Sequence, residues 1–309
     1  MKRWLITLAM GVLPIHGAFS GNLSEKVWNH GSEDCASNRD PAIEVFEFDA
    51  ATYILRQNKC VHFEAPFIYV LFGKHTVFVQ DTGATADPDR FPLHDVVRGL
   101  VAEQGNQAEG LHILVTHSHS HSDHTAGDAQ FRGKPGVTLI EPDAAAVREY
   151  FGFDDWPEGM TTIDLGERKL VVIPAPGHQG ESLAVYDFRT GWLLTGDILY
   201  PGRLYVKDWT TYRSSVRRLV EFSKTHRISA VMGTHIEMSS KGKLFPRGST
   251  FHPDEAGLAL TLADLRQLDD VLRLADEEPK EIATANFVVS PIGITQRVLG
   301  SILKALGFR

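Results

Sequence analysis

The chain alternates short runs of β-branched and aromatic residues with stretches of helical spacing. Ile43–Phe48, Tyr53–Arg56, Phe67–Phe72 and Thr76–Val79 read as strands, and Gly73-Lys74 forms the turn between the last two. Asp81-Thr82-Gly83 ends the fourth. From Pro92 to Gln104 the apolar residues Leu93, Val96, Val97, Leu100 and Val101 recur at helical spacing, and Gly105 stops the helix. Leu111–Thr116 is an apolar run of strand length, which fits a buried strand. A strand near Val137–Ile140 and a helix from Pro142 to Tyr150 follow. The second half repeats the rhythm. Thr161–Leu165, Lys169–Ile173, Leu183–Phe188, Trp192–Thr195 and Ile228–Gly233 read as strands, and Thr210–Thr225 as a helix. Asp254–Ala275 is the longest helical pattern, Glu281–Val289 is strand-like and Thr295–Leu306 is helical. Strands followed by helix, twice over, predict two sheets packed together with helices outside. Ser239–Pro253, rich in Gly, Ser, Lys and Pro, predicts a long loop.

The amino terminus does not belong to this rhythm. Lys2 and Arg3 precede a mostly apolar stretch, Trp4 to Ile15, and Ala18-Phe19-Ser20 places small residues where a signal peptidase reads. Pro14 and His16 interrupt the stretch well short of the roughly 20 apolar residues that a membrane span needs. Residues 1–20 are therefore expected to be a cleaved secretory signal, cut after Ser20, with the mature protein periplasmic or secreted and not stably inserted in a membrane. Residues 21–40 are polar and irregular and read as an entry segment, leaving 41–309 as one folded domain. Cys35 and Cys60 are the only cysteines. An oxidising compartment favours their pairing, but the spacing alone leaves a disulfide and two free thiols both open.

Composition narrows the class. The 309 residues are 43% hydrophobic and 23% charged, which suits a globular chain with a large core. The formal net charge is −8, and loss of Lys2 and Arg3 with the signal would bring it to −10. This sign repels phosphate backbones, so nucleic acid is not an expected partner.

The chemistry concentrates after Leu111–Thr116. His117-Ser118-His119-Ser120-His121-Ser122-Asp123-His124 places four imidazoles and a carboxylate within eight residues. Imidazole nitrogen and carboxylate oxygen both bind zinc at about 2.0–2.2 Å. Residues two apart on an extended segment point the same way, so His119 and His121 can grip one ion, with Asp123 and His124 free to face a second. Read alone, the same tract could be a solvated loop.

Taken with the rest of the chain, this stretch resembles the metallo-β-lactamase fold superfamily. The hallmark His-x-His-x-Asp-His stands here as His119-Ser120-His121-Ser122-Asp123-His124. Pro176-Gly177-His178, Thr195-Gly196-Asp197 and Gly233-Thr234-His235 match its later ligand elements, and Asp81-Thr82-Gly83 its early turn, all in family order between about residues 65 and 240. The resemblance implies an α/β fold, a four-layer αβ/βα sandwich of two mixed β-sheets flanked by helices. It also implies two Zn2+ per chain. His119, His121 and His178 would hold the first, Asp123, His124 and His235 the second, and Asp197 would bridge them. Ligands of these types also hold iron or manganese, so they do not fix the metal. His117 falls outside this register and is expected to support the site from the strand end. His30, His62, His75, His94, His112, His226 and His252 show no ligand spacing.

The implied activity is hydrolysis by a hydroxide shared between two zinc ions, with Asp123 orienting it and relaying its proton. An ester, lactone or thioester of a small molecule is the expected substrate. The carboxylate at Asp197, where some β-lactamases carry cysteine, resembles glyoxalase-II-type thioesterases and lactonases. A β-lactam hydrolase on the same site is the alternative, and a non-catalytic exported binding protein on the same scaffold is the rival from another class. Tyr200, three residues after Asp197, matches a tyrosine that in lactonases of the superfamily donates a hydrogen bond to the substrate carbonyl; packing at a loop start is its other reading. Arg203, Lys207, Lys241, Lys243 and Arg247 are candidates for the mouth of the site, and the loops Cys60–Pro66 and Ser239–Pro253 for its specificity.

Overall fold

The computed structural model describes residues 21–105 and 110–293. The signal expected at 1–20 and the helix expected at Thr295–Leu306 lie outside the described residues. One sheet is built from β1 (Ile43–Asp49), β2 (Thr52–Gln57), β3 (Phe67–Phe72), β4 (Thr76–Gln80), β5 (His112–Thr116) and β6 (Val137–Leu139), neighbours in that order. β1 to β4 are antiparallel, whereas β4, β5 and β6 run parallel, and the helix α1 (Leu93–Glu103) carries the crossover from β4 to β5.

The second sheet, which the chain reaches after the helix α3 (Ala144–Phe151), is ordered β13 (Ala259–Leu260), β12 (Ala230–Gly233), β10 (Trp192–Gly196), β9 (Leu183–Asp187), β8 (Lys169–Pro174) and β7 (Thr161–Asp164). β10 and β12 are parallel through the helix α4 (Trp209–Phe222), and the other pairs are antiparallel.

Alternation along each strand assigns the layers. Tyr69, Leu71, Phe78 and Leu114 meet Val172, Val185, Leu194 and Met232 between the sheets. Val77, Val79, Ile113 and Val115 point the other way, onto Val97, Leu100 and Val101 of α1. On the far side Val171, Leu193 and Val231 pack under Tyr212, Val216 and Leu219 of α4 and under Leu265 and Leu268 of α5 (Leu262–Ala275). The order is helix, sheet, sheet, helix, the expected four-layer sandwich.

Three local readings change. The helix expected from Asp254 begins at Leu262, because Thr261 caps it. The Thr261 hydroxyl accepts from the Asp264 amide at 3.3 Å and the Asp264 carboxylate accepts from the Thr261 amide at 2.8 Å. The run Glu281–Val289 is broken by a turn in which the Thr284 hydroxyl accepts the Phe287 amide, giving β14 (Ile282–Ala283) and β15 (Phe287–Pro291). β15 pairs in parallel with β11 (Gly202–Val206), a strand the sequence reading missed. The entry segment is irregular but tethered: Trp28 is buried edge-on to Phe46 and Phe67, and Cys35 is disulfide-bonded to Cys60.

Candidate metal centre

The chain leaves β4, β5, β10 and β12 at one edge of the sandwich, and those exits carry Asp81, His117–His124, Asp197 and His235. The short helix α2 (Ser122–Thr125) turns Asp123 and His124 back toward the strand ends, with His121 just before it. His178 sits in the connection from β8 to β9. Glycine is needed before Asp197: Gly196 has φ +54°, and a Cβ there would lie 2.7 Å from that of Ser118. The close approach brings the Asp197 carboxylate against the histidine cluster.

All seven expected ligands converge, in two groups. His119, His121, His178 and Asp197 form the first, and Asp123, His124 and His235 the second. In the first, His121 Nδ1 lies 2.9 Å from His119 Nε2 and 3.1 Å from His178 Nε2. Asp197 Oδ2 is 3.7 and 3.5 Å from the same two Nε2 atoms. In the second, Asp123 Oδ2 is 3.3 Å from His124 Nε2 and 3.4 Å from His235 Nε2, which are themselves 3.3 Å apart. Asp197 Oδ1 completes this group at 3.6 and 3.4 Å. Donor atoms tetrahedrally placed 2.0–2.1 Å from one ion stand about 3.3–3.4 Å apart, and the edges of the two groups, 2.9–3.7 Å in the first and 3.3–3.6 Å in the second, lie around that length. The two oxygens of Asp197 face one group each.

Proton placement agrees with this fit. His124 Nδ1–H donates to Asp81 Oδ2 at 3.0 Å, His178 Nδ1–H to the Tyr205 carbonyl at 2.7 Å and His235 Nδ1–H to the Glu64 carbonyl at 3.2 Å. His119 Nδ1 meets the Ser118 hydroxyl at 3.1 Å. An imidazole that donates from Nδ1 keeps its lone pair on Nε2, the atom aimed into the centre. Asp197 is steadied by the Thr234 hydroxyl, which donates to Oδ1 at 2.5 Å.

Charge divides the two groups. Burial, reinforced by neighbouring imidazoles, holds His119 well below its ordinary pKa and brings His121 down to about 4. Burial also disfavours charge on His124 and His235, but Asp123 and Asp81 raise His124, and Asp197 with Asp123 raises His235 to about 9. Against the same burial, His124 and His235 pull the Asp123 carboxyl well below the usual range, and Asp197 is lowered by His235, His124 and His178. In the second group the carboxylates of Asp123 and Asp197 thus favour positive charge between them, a charge that a divalent cation held there would supply.

Residues 63–269 match the family model of the metallo-beta-lactamase superfamily. The chain belongs to that superfamily. It is 30% identical over 221 residues to the acyl-coenzyme A thioesterase MBLAC2 of Homo sapiens, which covers 60% of this chain and 77% of that protein. A hydroxyacylglutathione hydrolase of Brucella ovis is 31% identical over 106 residues, 33% of this chain and 41% of that one. The crystal structure of the DIM-1 metallo-beta-lactamase has a TM-score of 0.51 at 14% identity, covering 77% of this chain and 100% of that one, a likeness of fold. This chain is a metallo-beta-lactamase superfamily hydrolase. The superfamily is typically zinc-dependent, and the two donor groups could each hold a metal ion.

Of the remaining candidates of this superfamily member, His117 and Tyr200 are buried. His117 belongs to neither donor group; its Nε2–H donates to Asp128 Oδ1 at 2.8 Å, beside the Thr82 hydroxyl that donates to the same oxygen at 2.7 Å. Tyr200 is buried with its ring 5.4 Å from that of His235, and its hydroxyl lies against the Arg203 carbonyl and 3.2 Å from Glu237 Oε2. Its single proton is thus shared among acceptors within the protein. Arg203 turns to Glu281 at 2.6 Å, whereas Lys207 reaches Gln179 beside His121, donating to Oε1 at 3.0 Å. The Cys60–Pro66 loop contributes a backbone oxygen, that of Glu64, to His235. Sequence reasoning missed the carbonyls of Glu64 and Tyr205, which leave no mark in the sequence. For Asp81 the sequence does carry a signal, a carboxylate directly after a buried strand, which is where such an orienting partner stands.

Proposed function

We propose that this protein is an exported dizinc hydrolase that cleaves a thioester, ester or lactone of a small molecule. The observation that carries the reading is Asp197, whose Oδ2 faces His119 and His178 while its Oδ1 faces His124 and His235. A carboxylate placed between two donor groups suits a pair of neighbouring divalent cations. Such a pair, when bound, supplies a nucleophile from water near neutral pH and polarises the substrate carbonyl. His119, His121, His178, Asp123, His124 and His235 would hold it.

The chain's own residues supply the rest. Asp123, whose Oδ2 lies 3.3 Å from His124 Nε2 and 3.4 Å from His235 Nε2, would orient the attacking water and take its proton. Tyr200 holds the Arg203 carbonyl and Glu237 in place behind His235. No thiol is free to act as a nucleophile, since Cys35 and Cys60 are joined. The thioester is favoured among the three bonds by similarity to an acyl-coenzyme A thioesterase and a hydroxyacylglutathione hydrolase.

Export is supported by the disulfide, which suits an oxidising compartment. Amino-terminal sequencing of the periplasmic or culture-fluid protein is expected to start at Gly21. For the activity, the purified protein is expected to carry close to two zinc equivalents and to hydrolyse acyl thioesters, losing that activity with chelator and regaining it with zinc. Hydrolysis that persists after complete metal removal overturns the proposal.

A further inference from the structure

Four of the five imidazoles in the two donor groups share one orientation: Nε2 inward, Nδ1 on an oxygen. His121 is reversed. Its Nδ1 faces His119 and His178, and its Nε2 meets the side-chain amide nitrogen of Gln179. The amide oxygen of Gln179 is occupied on its other side by Lys207, whose ammonium donates to it at 3.0 Å.

The proton count of this row depends on whether His121 is a ligand. A ligating imidazole is neutral and offers a lone pair. With the lone pair on Nδ1, the proton of His121 is on Nε2, and an N–H there needs an acceptor. The amide nitrogen is a donor, so the pair as it stands suits a lone pair on Nε2 and a proton on Nδ1, the tautomer that cannot ligate. A half-turn of the Gln179 amide exchanges its oxygen and nitrogen in nearly the same positions. The oxygen then accepts from His121, but the nitrogen then faces the Lys207 ammonium, donor against donor. The ammonium has no lone pair with which to adapt.

We propose that Gln179 is the positioning residue of the first metal group, its amide oxygen serving either His121, when a metal is held, or Lys207, when none is. The inference rests on the metal reading of the site given above. The amide thereby links metal loading to the placement of a cation at the mouth: binding at His119, His121 and His178 turns the amide and releases Lys207 from Gln179. By reciprocity, the Lys207–Gln179 bond opposes metal binding at the first group. Gln179 is only half-buried and follows His178 directly, so it can be replaced without disturbing the core.

The test is zinc affinity measured by competition with a chromophoric chelator on the purified full chain, without substrate. Removing a hydrogen-bond partner of a ligating histidine typically weakens metal binding about 10–100-fold. Gln179→Met is therefore expected to weaken the first zinc at least tenfold and leave the second unchanged, whereas Gln179→Glu, an acceptor in either orientation, is expected to restore or exceed the original affinity. Lys207→Met is expected to tighten zinc binding in the parent chain but much less in the Gln179→Met background, because the competing bond is already gone. Histidine nitrogen NMR of the zinc-loaded parent is expected to place the His121 proton on Nε2. Unchanged zinc affinity in Gln179→Met, or an equal Lys207→Met effect in both backgrounds, overturns the inference. A parent chain that binds no zinc overturns instead the metal reading on which it rests.

Discussion

The Asp81 carboxylate accepts the Nδ1–H of His124 at 3.0 Å, with both side chains fully buried. Asp81 also accepts the Ser118 amide at 2.6 Å and the Ser118 hydroxyl at 2.9 Å, and it does so from a backbone at φ +72°. One carboxylate thus fixes the tautomer of a candidate ligand and the start of the loop that carries His119 and His121. Asp81→Ala is expected to weaken zinc binding at the second group by about 10–100-fold, and Asp81→Asn, which keeps an acceptor, by less. Chelator-competition titration of folded variants checks this; equal affinities for Asp81→Ala and the parent would remove Asp81 from the site.

His117 and His121 discriminate the register of the histidine ladder. His121 stands in the first donor group, and His117 is bonded to Asp128 outside both groups. His121→Ala is expected to cost about one zinc equivalent by elemental analysis, while His117→Ala keeps two and loses stability by about 1–3 kcal/mol through the bond it leaves unmade. A larger metal loss from His117→Ala would shift the register by two residues.

Much of this was legible in the sequence because the physics is local. Continuous apolar runs such as Phe67–Phe72 became strands buried on both faces, and the ligand residues stand where strands end. What was not legible depends on partners distant in the chain. Gly202–Val206 becomes a strand only because Phe287–Pro291 lies beside it. The residues before Leu262 keep helical spacing yet are not helical, because the Thr261–Asp264 capping box starts the helix there. In the site, the ligand types were visible, whereas the contact of the reversed His121 with Gln179, 58 residues away, was not.

Tyr200 offers a clean separation of two roles. Its hydroxyl faces the Arg203 carbonyl and Glu237, and burial raises the phenol well above its ordinary pKa. Tyr200→Phe is expected to lower stability by about 1 kcal/mol and to change kcat less than tenfold. A fall in kcat on the order of 100-fold with KM unchanged would instead mean that the hydroxyl swings to the substrate carbonyl during turnover.

The disulfide ties the entry segment to the loop that reaches His235. Cys35 and Cys60 are 25 residues apart, and closing a loop of that size stabilises the fold by about 3 kcal/mol. Reduction, or the double replacement by serine, is expected to lower the urea midpoint accordingly. If the reduced protein unfolds at the same midpoint, the cross-link contributes no net stability.

Lys59 gives the stability a dependence on alkaline pH. It is 2% exposed, and its Nζ donates to the Phe63 carbonyl at 3.2 Å. Burial is the largest effect on it; Arg56 adds to the depression, and Glu255, Glu237 and Glu64 oppose it, leaving a pKa of about 8 against an ordinary 10.5. Between those values the unfolded chain binds the proton more tightly than the folded one, so stability rises as pH rises. Below about pH 8 the full cost of the buried ammonium is present, on the order of 3 kcal/mol. Lys59→Met removes that cost while keeping the apolar stem. It is therefore expected to stabilise the protein at pH 7, and the gain is expected to shrink toward zero above about pH 10.5 as the parent lysine loses its proton in both states. Urea unfolding of both chains at pH 7 and at the alkaline limit measures the difference; a gain independent of pH would show that Lys59 costs stability through packing and not through its charge.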